Sequence, residues 1–137
     1  GSETNIKFIL GQIAERLNKR GLIILISDLI DEPENVIKGL KHIRHKNQEI
    51  IVFHISDEKE LSLDFGTRTT FVDLETKSEI KTDPWQIKST YEKLLKDLQK
   101  YYSNQCNKNH IDYVPLTTKQ SLDMALTEYL KKRTRLN

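Results

Sequence analysis

Two rhythms of apolar residues alternate along this chain. Ile6, Ile9, Leu10, Ile13, Ala14 and Leu17 recur at helical spacing and predict an amphipathic helix. Thr4 stands just ahead of it at the N-cap position. Arg20-Gly21 breaks that pattern, and the unbroken run Leu22-Ile23-Ile24-Leu25-Ile26 leads into Ser27-Asp28. Rich in β-branched Ile and set between two helical patterns, this run predicts a strand buried on both faces, as in a parallel sheet covered by helices. Asp31-Glu32-Pro33-Glu34 has the form of a helix start, with Asp31 as N-cap, Pro33 in the first turn and Glu34 three residues after the cap. The helix it opens carries Val36, Ile37, Leu40 and Ile43 on one face. Lys41, Arg44 and Lys46 at its end suit the negative end of the helix dipole. Ile50-Ile51-Val52-Phe53-His54-Ile55 is a second buried strand, and it too ends in Ser-Asp, at Ser56-Asp57.

The middle of the chain changes character. From Phe65-Gly66 onward the apolar positions alternate in short runs, 69–74 and 78–81, with Thr76-Lys77 between them as a turn, which predicts a small β-hairpin. Asp83-Pro84-Trp85 opens the longest helix, whose stripe is Ile87, Tyr91, Leu94, Leu95, Leu98, Tyr102 and Cys106. A third strand follows at Ile111–Leu116. Pro115 cannot donate to a ladder, so that strand should lie at the sheet edge or end there. A last helix points Leu122, Ala125, Leu126, Tyr129 and Leu130 inward. The order predicts a single α/β domain over 1–137, three-layered. Its short, mainly parallel sheet has three parallel strands plus the hairpin, flanked by about four helices.

Composition narrows the classes. With 31% charged and 36% apolar residues the 137-residue chain reads as a soluble globular domain. A formal net charge of +2, with Lys and Glu interleaved, favours no nucleic-acid partner. No apolar run approaches the roughly 18 residues of a membrane span. The single Cys106 excludes an internal disulfide framework and a Cys-based zinc site, and suits a reducing, cytoplasmic setting. Gly1-Ser2 and the missing initiator Met mark the chain as an excised piece.

Chemistry is expected first at the strand ends, because open α/β sheets bind ligands beyond the carboxyl ends of their strands. Ser27, Asp28 and Ser56 occupy that place. No glycine-rich phosphate loop follows any strand, and no nucleophile–base pair shows itself. His42 and His45 lie three apart on a helix, a spacing able to bind zinc, but without a third ligand they read as a solvated face. His54 reads as a satisfied core histidine, Cys106 as structural, and Asp57, Glu58 and Glu60 as a solvated loop.

The block Glu3-Thr4-Asn5-Ile6, then Arg20-Gly21-Leu22-Ile23-Ile24-Leu25-Ile26-Ser27-Asp28-Leu29, resembles the second half of a von Willebrand factor A-type domain. More narrowly it is similar to the bacterial "domain of unknown function fifty-eight" proteins. Asp73-Leu74-Glu75-Thr76, Ile111-Asp112-Tyr113 and Leu126-x-x-Tyr129-Leu130 extend the resemblance over nearly the whole chain. It implies a metal-ion-dependent adhesion site, in which oxygen ligands hold a divalent cation, Mg or Mn, with one position open for a partner's carboxylate. Thr4 matches that motif's Thr and Asp28 its last Asp, while the D-x-S-x-S loop has no counterpart, so the implied site is incomplete in this chain. It also implies a truncated sheet whose Leu22–Ser27 strand has one bare edge, a template for homodimer formation. A non-catalytic protein-interaction module, partnered by a MoxR-type AAA+ ATPase as its relatives are thought to be, is the function implied. The alternative is a flavodoxin-like small-ligand-binding or enzymatic domain using the crevice near Asp28.

Overall fold

The computed structural model describes residues 6–57 and 84–136, and the hairpin expected over 69–81 lies outside them, as does Thr4. The described elements run α1 (Ile6–Arg16), β1 (Gly21–Ser27), α2 (Pro33–Arg44), β2 (Gln48–Ser56), α3 (Pro84–Lys108), β3 (Asp112–Thr117) and α4 (Leu122–Leu136). The strands form one sheet in the order β1-β2-β3, parallel throughout, with Ile24 opposite Ile51 and Phe53 opposite Val114. Each of the three expected parallel strands is present, within two residues of its expected ends.

Because side chains alternate across a strand, β2 feeds two separate cores. Ile50 and Val52 face a layer built by Ile6, Leu10 and Ala14 of α1, Val36, Ile37, Leu40 and Ile43 of α2, and Tyr102 and Cys106 of α3. Ile51 and Phe53 face the other way, toward Leu116 of β3 and toward Leu122, Ala125, Leu126 and Tyr129 of α4. Helices therefore cover both faces, and the architecture is three-layer α/β. At the amino-terminal end of the strands α4 is held by polar contacts as well: Arg133 pairs with Glu49 of β2, and the Tyr129 hydroxyl donates to Asp112 of β3 at 2.6 Å.

Three expectations need correction. The Leu22–Ile26 strand is not buried on both faces. Ile24 is 38% and Ile26 47% exposed, because among the described elements one helix covers the second face and β1 is an edge strand. Ile9, Leu94 and Leu130 are 40%, 62% and 41% exposed, so the helical stripes are narrower than the sequence pattern. Asp31 is not the N-cap of α2. Glu32 holds that position, with extended backbone and no side-chain cap, and Pro33 begins the helix. The Asp31 carboxylate instead accepts the Ile6 amide at 2.6 Å, anchoring the start of α1 to the loop after β1. Pro115 does lie on an edge strand, as its missing donor requires.

The α1–α2 contact depends on Gly39. A Cβ at that position would stand 2.8 Å from Leu10 Cδ1 and 3.0 Å from Leu10 Cβ, closer than carbon atoms pack. Gly39→Ala gains about 1 kcal/mol of helix propensity and loses about 1–3 kcal/mol to overpacking. Urea denaturation of the variant is therefore expected to show net destabilisation of about 1 kcal/mol; a more stable variant would mean that Leu10 can yield.

Candidate functional site

The strand carboxyl ends open on a cleft of about 890 Å³ between the β1–α2 turn, the last residues of β2 and the middle of α3. Its floor is polar, with Asp28, His54, Ser56 and Thr118, and its wall on α3 is apolar, with Leu94, Leu95 and Leu98. The sequence pointed to this place, and Asp28 and Ser56 are brought together here.

The turn that presents Asp28 is held unusually tightly. Leu29 is 2% exposed yet sits at φ 54°, a left-handed conformation that a branched residue adopts only under constraint. Three hydrogen bonds impose it: the Leu29 amide to Ser27 Oγ at 2.9 Å, the Ile30 amide to Asp28 Oδ1 at 3.4 Å, and the Asp31 amide to the Leu29 carbonyl at 2.9 Å. Asp28 is thus both the exposed carboxylate of the cleft and part of its own turn. On β2, the Ser56 carbonyl accepts the Thr118 amide at 2.9 Å, but Ser56 Oγ is buried with no hydrogen-bond partner among the described residues. That unpaired hydroxyl is what sequence reasoning missed, since a Ser at a strand end carries no mark of its burial.

As a test of the implied cation site, the described residues hold no group of three His, Cys, Asp or Glu side chains able to bind a metal. Asp31 accepts the Ile6 amide, while Asp28 and Glu32 of the same turn also line the cleft. The carboxylates of the cleft thus gather into no three-ligand cluster with a described His, Cys, Asp or Glu. His42 on α2 and His45 at its C-cap are both exposed.

Beneath the cleft lies an aromatic cluster. His54 is 2% exposed, its Nδ1 lies 2.6 Å from the Tyr113 hydroxyl, and its ring meets Tyr102 edge-on at 5.6 Å. Burial pulls its pKa down, and this outweighs the opposing hydrogen bond to the Asp28 backbone and the Asp28 charge. Burial likewise pushes the Tyr102 and Tyr113 hydroxyls up, and the Cys106 thiol to about 11, so Cys106 stays a protonated core thiol. His54 is the satisfied core histidine its position suggested.

A histidine whose folded pKa lies below its unfolded value of about 6.5 takes up its proton more readily in the unfolded chain. Its neutral form supports the fold above pH about 6.5, and that support declines as pH falls through this value toward the folded pKa. Denaturation midpoints are expected to drop between pH 7 and 5, and His54→Gln to flatten that slope while lowering stability overall; an unchanged slope in the variant would assign the titration elsewhere.

No helix among the described residues is long and apolar enough to cross a membrane. No curated protein matches the chain, and no solved structure does. A family model with the description "Protein of unknown function DUF58" matches residues 1–101, which takes in α1, β1, α2, β2 and most of α3. With about three quarters of its length matched by that model, the chain belongs to the DUF58 family of proteins of unknown function.

Proposed function

We propose that this domain is a non-catalytic protein-interaction module that works through the bare edge of β1, with a second copy of the chain as its first partner. The observation that carries this is β1 itself. Its seven residues pair with β2 alone among the described strands, and Ile24 and Ile26 are exposed beside the open edge. A long apolar edge strand with unpaired amides and carbonyls invites another strand. Antiparallel pairing about a two-fold axis normal to the sheet would join two three-stranded sheets into one. The four isoleucines would then form a continuous strip on one face.

Resemblance to von Willebrand A-type domains supports a MoxR-type AAA+ ATPase as a second, heterologous partner, in a cytoplasmic setting that suits the lone Cys106 thiol. On the same ground Asp28, with Thr4, belongs to a metal-ion-dependent adhesion site. Mg or Mn would bind there only with further oxygen ligands beside these two. A different reading, a small-ligand domain using the cleft, is favoured by one observation, the buried and unpaired Ser56 Oγ at its floor. A ligand bound there and displaced by Ser56→Ala would favour that reading over the first.

Sedimentation equilibrium tests the edge pairing. The chain is expected to dimerise, and Ile26→Lys, at a site already 47% exposed, to weaken the dimer at least tenfold without lowering the melting temperature of the monomer. A monomer at every concentration would remove the proposal.

A further inference from the structure

We infer that the opposite end of the sheet, at the amino termini of β1 and β2, is an anion site that takes a phosphate group. The site is a hollow of about 520 Å³ between the α1–β1 and α2–β2 connections. Lys19, Arg20, Arg44 and Lys46 line it, together with Asn18 and Asn47.

One buried side chain brings these cations together. Gly21 and Gln48 are opposite one another in the β1–β2 ladder, so the two loops leading into the strands lie side by side. Gln48 is 1% exposed, and its Nε2 donates to the Lys19 carbonyl on one loop and to the Lys46 carbonyl on the other, the latter at 3.3 Å. Its Oε1 would lie 3.1 Å from any Cβ on residue 21, so glycine there leaves the room this amide needs. Arg44 Nη1 donates to the Gln48 carbonyl at 3.3 Å, and Asn47 closes the second loop at φ 61°, a conformation asparagine tolerates. Both loops are therefore pinned through their backbones.

The charge is offset only in part. Among the described residues none of the four cations has a carboxylate partner, and Glu49, the one acid lining the hollow, is taken by Arg133. Arg44 Nε is buried and unpaired. Four positive charges carried on two pinned loops around one concavity repel one another, and an anion entering it would relieve that repulsion. A carboxylate would offset one charge. A phosphate carries up to two and accepts hydrogen bonds on three oxygens from a guanidinium fork and ammonium groups. The hollow falls within the roughly 300–1,000 Å³ of small-molecule sites.

The test is a titration of the ¹⁵N-labelled chain with inorganic pyrophosphate at low salt, beside cosedimentation with phosphatidylcholine vesicles with and without phosphatidylinositol 4-phosphate. Saturable shifts confined to residues 18–21 and 44–49 are expected. Lys19→Gln/Arg20→Gln, both exposed positions, should weaken binding about fivefold with an unchanged melting temperature. Pyrophosphate binding without vesicle binding assigns a soluble phosphate, and vesicle binding that requires the phosphoinositide assigns a lipid headgroup. Absence of saturation, an unaffected double variant, or shifts shared with distant lysines such as Lys96 and Lys119 would leave an adventitious ion only and overturn the site.

Discussion

A three-stranded parallel sheet has one strand with neighbours on both sides, and here that strand, β2, is also the one packed on both faces. Every residue from Ile50 to His54 is at most 2% exposed. Alternation sends Ile50, Val52 and His54 into the layer of α1, α2 and α3, and Ile51 and Phe53 into the layer of α4. The two cores share no other strand so completely. A substitution in β2 is felt by one core or the other according to the parity of its position.

The two layers differ in what holds them. The first is apolar and broad, with three helices packed on it and α1 tied by its first amide to Asp31. The second is a single helix over β2 and β3. Its contacts divide between a short apolar stripe, a Phe53–Tyr129 edge-on pair at 6.5 Å, and the polar pairs at its carboxyl end. This imbalance leaves Ile24 and Ile26 of β1 exposed on one face.

Much of this was legible in the chain. Unbroken Ile-rich runs marked β1 and β2, the helical stripes marked the helices, and the proline in β3 marked an edge. What failed to show has physical reasons. A run such as Leu22–Ile26 has no alternation, so it cannot reveal that one of its faces is bare. Asp31 sits one residue too early to cap α2, because Pro33 already supplies the first helical position, and its carboxylate is free to serve a helix distant in sequence. Ser56 and Asp28 were found because strand order places them at one end, while the conformation of Leu29 and the unpaired Ser56 hydroxyl depend on packing no local pattern encodes. At the other end Arg44 and Lys46 read as complements of the helix dipole, and their meeting with Lys19 and Arg20 did not show because the four arrive from two connections.

Gln48 and His54 stand six residues apart on β2, on the same face, both buried and both hydrogen-bonded outside their own strand. In an otherwise hydrocarbon strand they serve as a two-point gauge of alignment. Sliding β2 by one residue would turn both toward α4, strand two polar side chains in an apolar layer, and release the Lys19 carbonyl and the Tyr113 hydroxyl together. Sliding by two would keep the face but misplace both partners by nearly 7 Å. Ile and Val alone would tolerate such slips, since one β-branched residue packs much like the next. The pairing of this sheet is thus single-valued at β2, whose two ends are keyed, and least specified at β1, whose outer edge carries no such mark.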